Sequence, residues 1–373
     1  MAGIYIHIPF CRKACHYCNF HFSTTHSLLA QMIDAIVAEV ALQQLYLQEK
    51  IDTIYFGGGT PSLCTAEQIE RILQAIKVTF SVSDGAEITL ESNPDDITAE
   101  RLIAWQQMGI NRLSIGVQSF VEDDLRWMNR AHSATQATDC IQLAQQYGFT
   151  NLTIDLIYGT PTLSDEQWQQ NVQTAIDLGV THLSCYALTV EPKTALDKMI
   201  QLEKIANVDI EQQAKHFELL MQWLQAAGFE HYEISNFARP DHRSRHNSSY
   251  WQGKTYLGLG PSAHSFNGYS RQWNIANNAL YMASIAKEVV PFEVEHLTPT
   301  QQLNEYIMTS LRTMEGLSLQ HVQLRWGNAA HTAILQAAHL YLHDNYMVQS
   351  DQYLRLTNAG RLIADGIAAD LFQ

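Results

Sequence analysis

The chain has 373 residues, with 38 acidic against 23 basic side chains and a formal net charge of -15. That balance excludes a general nucleic-acid surface, which depends on clustered Lys and Arg to displace counterions from phosphates, and six cysteines in so long a chain exclude a disulfide scaffold. No apolar run reaches the roughly 18 residues of a membrane span and no signal peptide is visible, so the expected location is cytoplasmic; the length suits one large domain plus a smaller one.

The first expected strand, "GIYIHI", runs directly into "PFCRKACHYCNFHF", where Cys11, Cys15 and Cys18 stand at C-x3-C-x2-C spacing. Beyond it, short β-branched runs alternate with helix-length segments through about residue 235. The strand candidates "IDTIYFGGG", "EITLES", "RLSIGV", "NLTIDLIYG" and "HLSCYAL" are separated by helices such as "AEQIERILQAIKVTF" and "TQATDCIQLAQQYG", the pattern of β-α units around a parallel sheet. Three helices close on Gly109, Gly148 and Gly179, where the backbone is expected to turn left-handed. Six units are fewer than the eight of a closed barrel, so the periodicity alone allows either an open barrel or an open doubly wound sheet.

From Ser235 to about Ser270 the helical period stops, and Gly, Ser, Asn, His and aromatics dominate. This reads as a long functional loop rather than disorder, because its aromatics favour order. The chain then turns helical and ends in "YMVQSDQYLRLTNAGRLIADGIAADLF", a hairpin followed by a helix, similar to the end of a winged-helix module. The division expected is 1–235, a linking region at 236–290 and a helical domain at 291–373. Few basic residues mark the final helix, so DNA binding is not implied.

Three thiolates in a short loop leave one coordination position open. A structural zinc normally takes four protein ligands, whereas an iron-sulfur cluster held by three cysteines keeps one iron free for another ligand. Zinc with His7 or His16 as fourth donor is the alternative. Cys64, Cys140 and Cys185 have no partner at ligand spacing and read as buried small hydrophobes.

With these residues in view, "CRKACHYC" resembles the cluster loop of radical S-adenosylmethionine (SAM) proteins. "YFGGGTPS", "ESNP", "GVQSF", "MNRAH" and "TIDLIYG" follow in the order of the oxygen-independent coproporphyrinogen III oxidase-like family. The resemblance implies a partial (β/α)6 radical-SAM barrel with a mainly helical, winged-helix-like C-terminal domain. It implies a 4Fe-4S cluster on Cys11, Cys15 and Cys18, with SAM on the open iron. The SAM site would comprise Tyr5, Gly57, Gly58, Thr60, Glu91, Gln118, Arg130 and Asp155. Glycines at 57–59 suit that role because a Cβ would block close approach of a ligand to the backbone.

The oxidases of this family carry a fourth cysteine two residues after the third, and a long N-terminal extension. Here that position is Phe20, and ten residues precede Cys11. "HNSSYW", from His246 to Trp251, instead matches the H-N-x-x-Y-W motif of the haem-chaperone branch, HemW. The resemblance therefore implies haem as a further cofactor, acceptor haemoproteins as partners, and His246, Tyr250 and Trp251 as haem-binding residues. His7, His16, His21 and His264 are rival axial ligands, and Arg243 and Arg245 are candidates for pairing with the propionates. The structural alternative is a His246 hydrogen-bonded to a backbone carbonyl, with Trp251 and Tyr256 packed over the barrel edge. The alternative function is radical-SAM decarboxylation of a porphyrinogen. The reading leaves room for a homodimer and for peripheral contact with membrane haemoproteins.

Overall fold

The structure, a computed structural model, describes residues 2–373. Six strands come first: β1 (Ala2–Ile8), β2 (Ile51–Gly58), β3 (Val82–Ser92), β4 (Arg112–Gln118), β5 (Leu152–Tyr158) and β6 (His182–Ala187). They lie side by side in chain order and all parallel. Between them run α1 (Leu29–Leu42), α2 (Ala66–Thr79), α3 (Ala99–Met108), α4 (Glu122–Trp127), α5 (Ala134–Gln146) and α6 (Asp165–Asp177). Capping boxes at Thr65, Ser133 and Ser164 start α2, α5 and α6. Gly109, Gly148 and Gly179 follow their helices at φ of 91°, 86° and 70°, as their positions implied.

Successive residues of a strand face opposite sides, and here the two sides differ completely. Ile4, Ile6, Ile54, Phe56, Ile88, Leu90, Leu113, Ile115, Ile154 and Leu156 share one core with Ile33, Ile36, Ile69, Ile72 and Ile76 of the outer helices. The alternate positions carry Tyr5, His7, Thr53, Tyr55, Glu87, Glu91, Arg112, Ser114, Thr153, Asp155, His182 and Ser184, a polar face turned into the barrel.

After β6 come α7 (Ala195–Gln201), α8 (Ile210–Ala226), β7 (Glu230–Glu233), β8 (Asn236–Ala238), α9 (Arg245–Trp251), β9 (Tyr256–Leu259), β10 (His264–Phe266), β11 (Ser270–Asn274), α10 (Asn278–Ile285) and β12 (Phe292–His296). The stretch read as a long loop is therefore built into the sheet. β8 pairs antiparallel with β6, while β9 joins the free edge of β1 in parallel and leads to β10, β11 and β12, giving twelve strands. Strands of three to five residues carry too few periods to show alternation, which is why the region resembled a loop.

A second core, around Leu303, Ile307, Leu311, Val322, Ile334, Leu354 and Ile367, organises the C-terminal part. Its elements are α11 (Pro299–Leu311), β13 (Leu317–Ser318), α12 (Leu319–His343), β14 (Met347–Ser350), β15 (Tyr353–Leu356), α13 (Asn358–Arg361) and α14 (Ala364–Asp370). Gly327, at φ 88° and ψ 176°, breaks α12 into two helices. The order helix, strand, two helices, hairpin is that of a winged helix. No helix among the described residues is long and apolar enough to cross a membrane.

One buried carboxylate fastens the β9–β11 extension to the barrel. Glu39 of α1 is 0% exposed and accepts hydrogen bonds from Gly260 N–H (2.7 Å), Asn274 Nδ2 (2.6 Å) and Tyr281 Oη (2.6 Å). Removing it orphans three buried donors, each costing on the order of 1–3 kcal/mol if it finds no water. Glu39→Ala should therefore lower unfolding stability by about 2–4 kcal/mol, read as a fall in the urea midpoint. Glu39→Gln, which keeps one acceptor, should lose less; equal stability of Glu39→Ala and the parent would show that the tie is dispensable.

Candidate functional site

At the C-terminal ends of the parallel strands the inner polar face opens into a cavity of about 410 Å³. Cys11, Cys15 and Cys18 line its mouth, and Gly58, Thr60, Glu91, Gln118, Arg130 and Asp155 line its wall. Tyr5 and Gly57 sit one layer deeper: a Cβ on Gly57 would lie 2.9 Å from the Tyr5 and Tyr55 rings and 3.0 Å from Glu91 Oε1. Only a residue without a side chain fits there.

The cysteine loop is held by main-chain and side-chain ties from distant segments. Cys11 N–H donates to Ser23 O (3.0 Å), His16 N–H to Met128 O (3.3 Å) and Leu196 N–H to His16 O (2.8 Å). Asn129 Nδ2 donates to Ala14 O at 2.7 Å, and Arg12 pairs with the buried Asp96 at 2.5 Å. "MNRAH" is thus a strap over the loop.

Arg130 is the centre of that strap. Its Nη1 donates to Cys15 Sγ at 3.2 Å, and its Nη2 to Asn93 Oδ1 at 2.8 Å and Gly116 O at 2.7 Å. Asn93 in turn donates to Thr60 Oγ1 at 3.3 Å. Asn93 and Ser114 were not singled out from the sequence, yet both face the cavity. Counting by twos back from Gln118, and forward from Glu91, finds them.

Burial governs the titration of the site. It pushes Glu91 up to about 8, with Asp155 adding repulsion, and Asp155 up to about 7; Tyr55 Oη donates to Glu91 at 2.7 Å. Burial likewise lifts the Cys11 thiol to about 11 and raises that of Cys18. Thiols so placed ionise only when a cation compensates them, which is what iron supplies. Three thiols in one short loop at the mouth of the cavity are a donor set that suits a cluster, in which each cysteine takes a different iron.

The haem expectation meets a different arrangement. α9 lies at the opposite, N-terminal end of the strands, where Glu87 accepts Arg245 N–H (3.1 Å) and His246 N–H (3.0 Å). His246 is 1% exposed. Its Nδ1 is 2.8 Å from Thr53 Oγ1 and its Nε2 2.8 Å from Tyr250 Oη, with the Tyr55 ring stacked on it at 5.0 Å. In this conformation His246 offers no free nitrogen to a metal. Trp251 is half-buried with the Arg312 guanidinium 5.2 Å above it, Arg243 is paired with Glu230 and Glu315, and Arg245 Nη1 donates to Gly85 O at 2.8 Å. Cys64, Cys140 and Cys185 are buried.

Comparison with known proteins places this geometry. The model of the Radical SAM superfamily matches residues 5–175, and that of the HemN C-terminal domain residues 297–363. "Heme chaperone HemW" of Bacillus subtilis is 31% identical, covering 98% of both chains. The protein of that name in Mycobacterium tuberculosis is 35% identical, covering 99% of this chain and 94% of its own. The mouse protein "Radical S-adenosyl methionine domain-containing protein 1, mitochondrial" is 33% identical over 86% of this chain and 75% of its own. Coproporphyrinogen III oxidase HemN of Escherichia coli has the same fold: TM-score 0.87 at 23% identity, covering 100% of this chain and 90% of its own.

The strap makes a mechanical statement that can be checked without metal. Arg130→Gln should free the cysteine loop, and trypsin, which cuts after Arg12 and Lys13, should cleave there about tenfold faster, the factor that ~1.4 kcal/mol of lost local stability produces. An unchanged cleavage rate would show that other ties suffice.

Proposed function

We propose that this chain, which belongs to the HemW family of radical SAM proteins, binds haem and passes it to acceptor haemoproteins while carrying a SAM-liganded 4Fe-4S cluster. The observation that carries the reading is similarity along the whole chain, at 31% and 35% identity, to two proteins named heme chaperones. One feature of the chain itself supports it against a porphyrinogen oxidase: Phe20 stands where the oxidases have their fourth cysteine and is 67% exposed. The likeness to the oxidase HemN is one of fold.

In this reading Cys11, Cys15 and Cys18 would hold the 4Fe-4S cluster, and SAM would bind beside it in the cavity that Glu91, Gln118, Arg130 and Asp155 line. The bound pair supplies one-electron cleavage of the sulfonium, chemistry that belongs to the cofactors. The chain's own residues position it. Gly57, Gly58 and Gly59 leave room for the Tyr5, Tyr55 and His7 rings and for the main chain at Ile8 and Phe10, which shape the cavity wall, and Glu91 and Asp155 would offer carboxylates to the polar groups of SAM. Arg130 donates to Cys15 Sγ and steadies both loop and ligand. A hydrogen bond from a cation to a ligating sulfur also favours the more negative, reduced cluster.

Anaerobic reconstitution should give about four irons per chain, and alanine at Cys11, Cys15 or Cys18 should abolish the charge-transfer absorption. Incubated with reductant, SAM and coproporphyrinogen III, the loaded protein should form no protoporphyrinogen IX above a protein-free control. Added haem should bind at one per chain with a shifted Soret band. Catalytic decarboxylation would establish the oxidase alternative, and haem binding no stronger than to an unrelated protein would sink the chaperone reading.

A further inference from the structure

We propose that the open edge of the twelve-stranded sheet, β12, is a docking site for an extended segment of a partner protein that alternates basic and apolar side chains and pairs with β12 as a further strand. This surface lies outside the cavity and does not depend on what the cavity holds.

The sheet has two edges, β7 and β12. The first is covered by the chain itself: Ile234 N–H donates to Arg312 O and Met314 N–H to Tyr232 O, both at 3.1 Å, and Glu233 bridges to Thr313. The second is bare. β12 pairs antiparallel with β11 alone, and all five of its residues are exposed. The ends of that ladder set its hydrogen-bonding phase. Ile275 N–H donates to Pro291 O and Leu297 N–H to Tyr269 O, both at 2.9 Å. In an antiparallel pair bonded and non-bonded positions alternate, so Glu293 and Glu295 bond to β11 while Phe292, Val294 and His296 turn their N–H and C=O groups outward. Among the described residues no hydrogen bond reaches those outward groups.

An unpaired edge is a template for another strand, and the side chains decide which strand it takes. Phe292 and Val294, each 47% exposed, share one face. Glu293 and Glu295 share the other, opposite Trp273 and Arg271 of β11. Arg271 pairs with Glu305 of α11 at 2.9 Å, and Gln301 Nε2 reaches Glu295 at 3.2 Å. Three carboxylates thus stand around one guanidinium, and negative charge is left over on the edge.

That charge selects against a second copy of this chain. Two β12 strands paired antiparallel about Val294 set Glu293 of each against Glu295 of the other, and a slip of two residues sets Glu293 against Glu293 or Glu295 against Glu295. Like charges directly opposite each other destabilise a pair. A segment with Lys or Arg two residues apart meets both carboxylates instead, and the apolar residues between and beside them lie against Val294 and Phe292. A partner held there joins the sheet that carries the cysteine loop, since β11, β10 and β9 lead from β12 to β1.

The test uses the full chain and two labelled, end-blocked peptides, one alternating Lys with Val and the other Glu with Val, followed by fluorescence anisotropy. The Lys peptide should bind about tenfold or more tightly than the Glu peptide and should slow amide exchange at Phe292, Val294 and His296. Glu293→Lys combined with Glu295→Lys should reverse the preference. Glu67→Lys combined with Glu70→Lys makes the same charge change at exposed positions of α2 and should leave the preference unaltered. Val294→Pro removes an outward N–H and no bond to β11, so it should abolish binding of the Lys peptide while the melting temperature stays close to the parent's. Equal binding of the two peptides overturns the site. So does parental binding of the Lys peptide by Val294→Pro, or a preference that the α2 variant loses as fully as the β12 variant, because either result reduces the attraction to net charge.

Discussion

The period-two alternation of six parallel strands governs everything else in this molecule. Parallel strands buried on both faces normally read as continuous apolar runs. Here one face is Ile, Leu, Val and Phe packed under helices, and the other is mostly polar. A register slip of one residue would exchange the two faces and put Glu91 and Asp155 into the helix-packed core. The same rule that secures the fold therefore lines up the cavity: once Glu91 faces inward, Glu87, Thr89 and Asn93 must as well. Glycine at positions 57 and 116 of this face leaves the volume that the polar side chains surround.

Within that cavity the cysteines and the carboxylates answer to one cation. Arg130 touches Cys15, Asn93 and Gly116, and so links the cysteine loop to the ends of β3 and β4. Without it the loop after β1 would rest on the Asn129–Ala14 hydrogen bond, the Arg12–Asp96 pair and the main-chain ties at its edges. Burial raises the Cys11 and Cys18 thiols and both carboxylates. The site therefore holds its negative charge back until a positively charged group compensates it.

The strands of the barrel, the glycine stops of its helices and the three-cysteine loop were legible in the residues because each repeats a local rule many times. The β9–β11 extension was not, since strands of three to five residues show no period. Nor does the "HNSSYW" motif state which way it faces. Its helix has seven residues, and its histidine is drawn inward by Glu87 and Thr53, partners 159 and 193 residues away in the chain. Such pairings follow from topology, and no spacing within the motif encodes them.

α9 then becomes the floor of the barrel whose mouth holds the cysteines. His246 supports the Tyr55 ring at 5.0 Å, and Tyr55 donates to Glu91, so floor and cavity wall share one line of contacts. Removing the imidazole leaves Thr53 and Tyr250 without their partner and Tyr55 without its stack. The first consequence reaches Glu91 through the ring above it. A motif distinguishing this branch of the family can therefore act at a distance, by fixing the depth and polarity of the barrel floor.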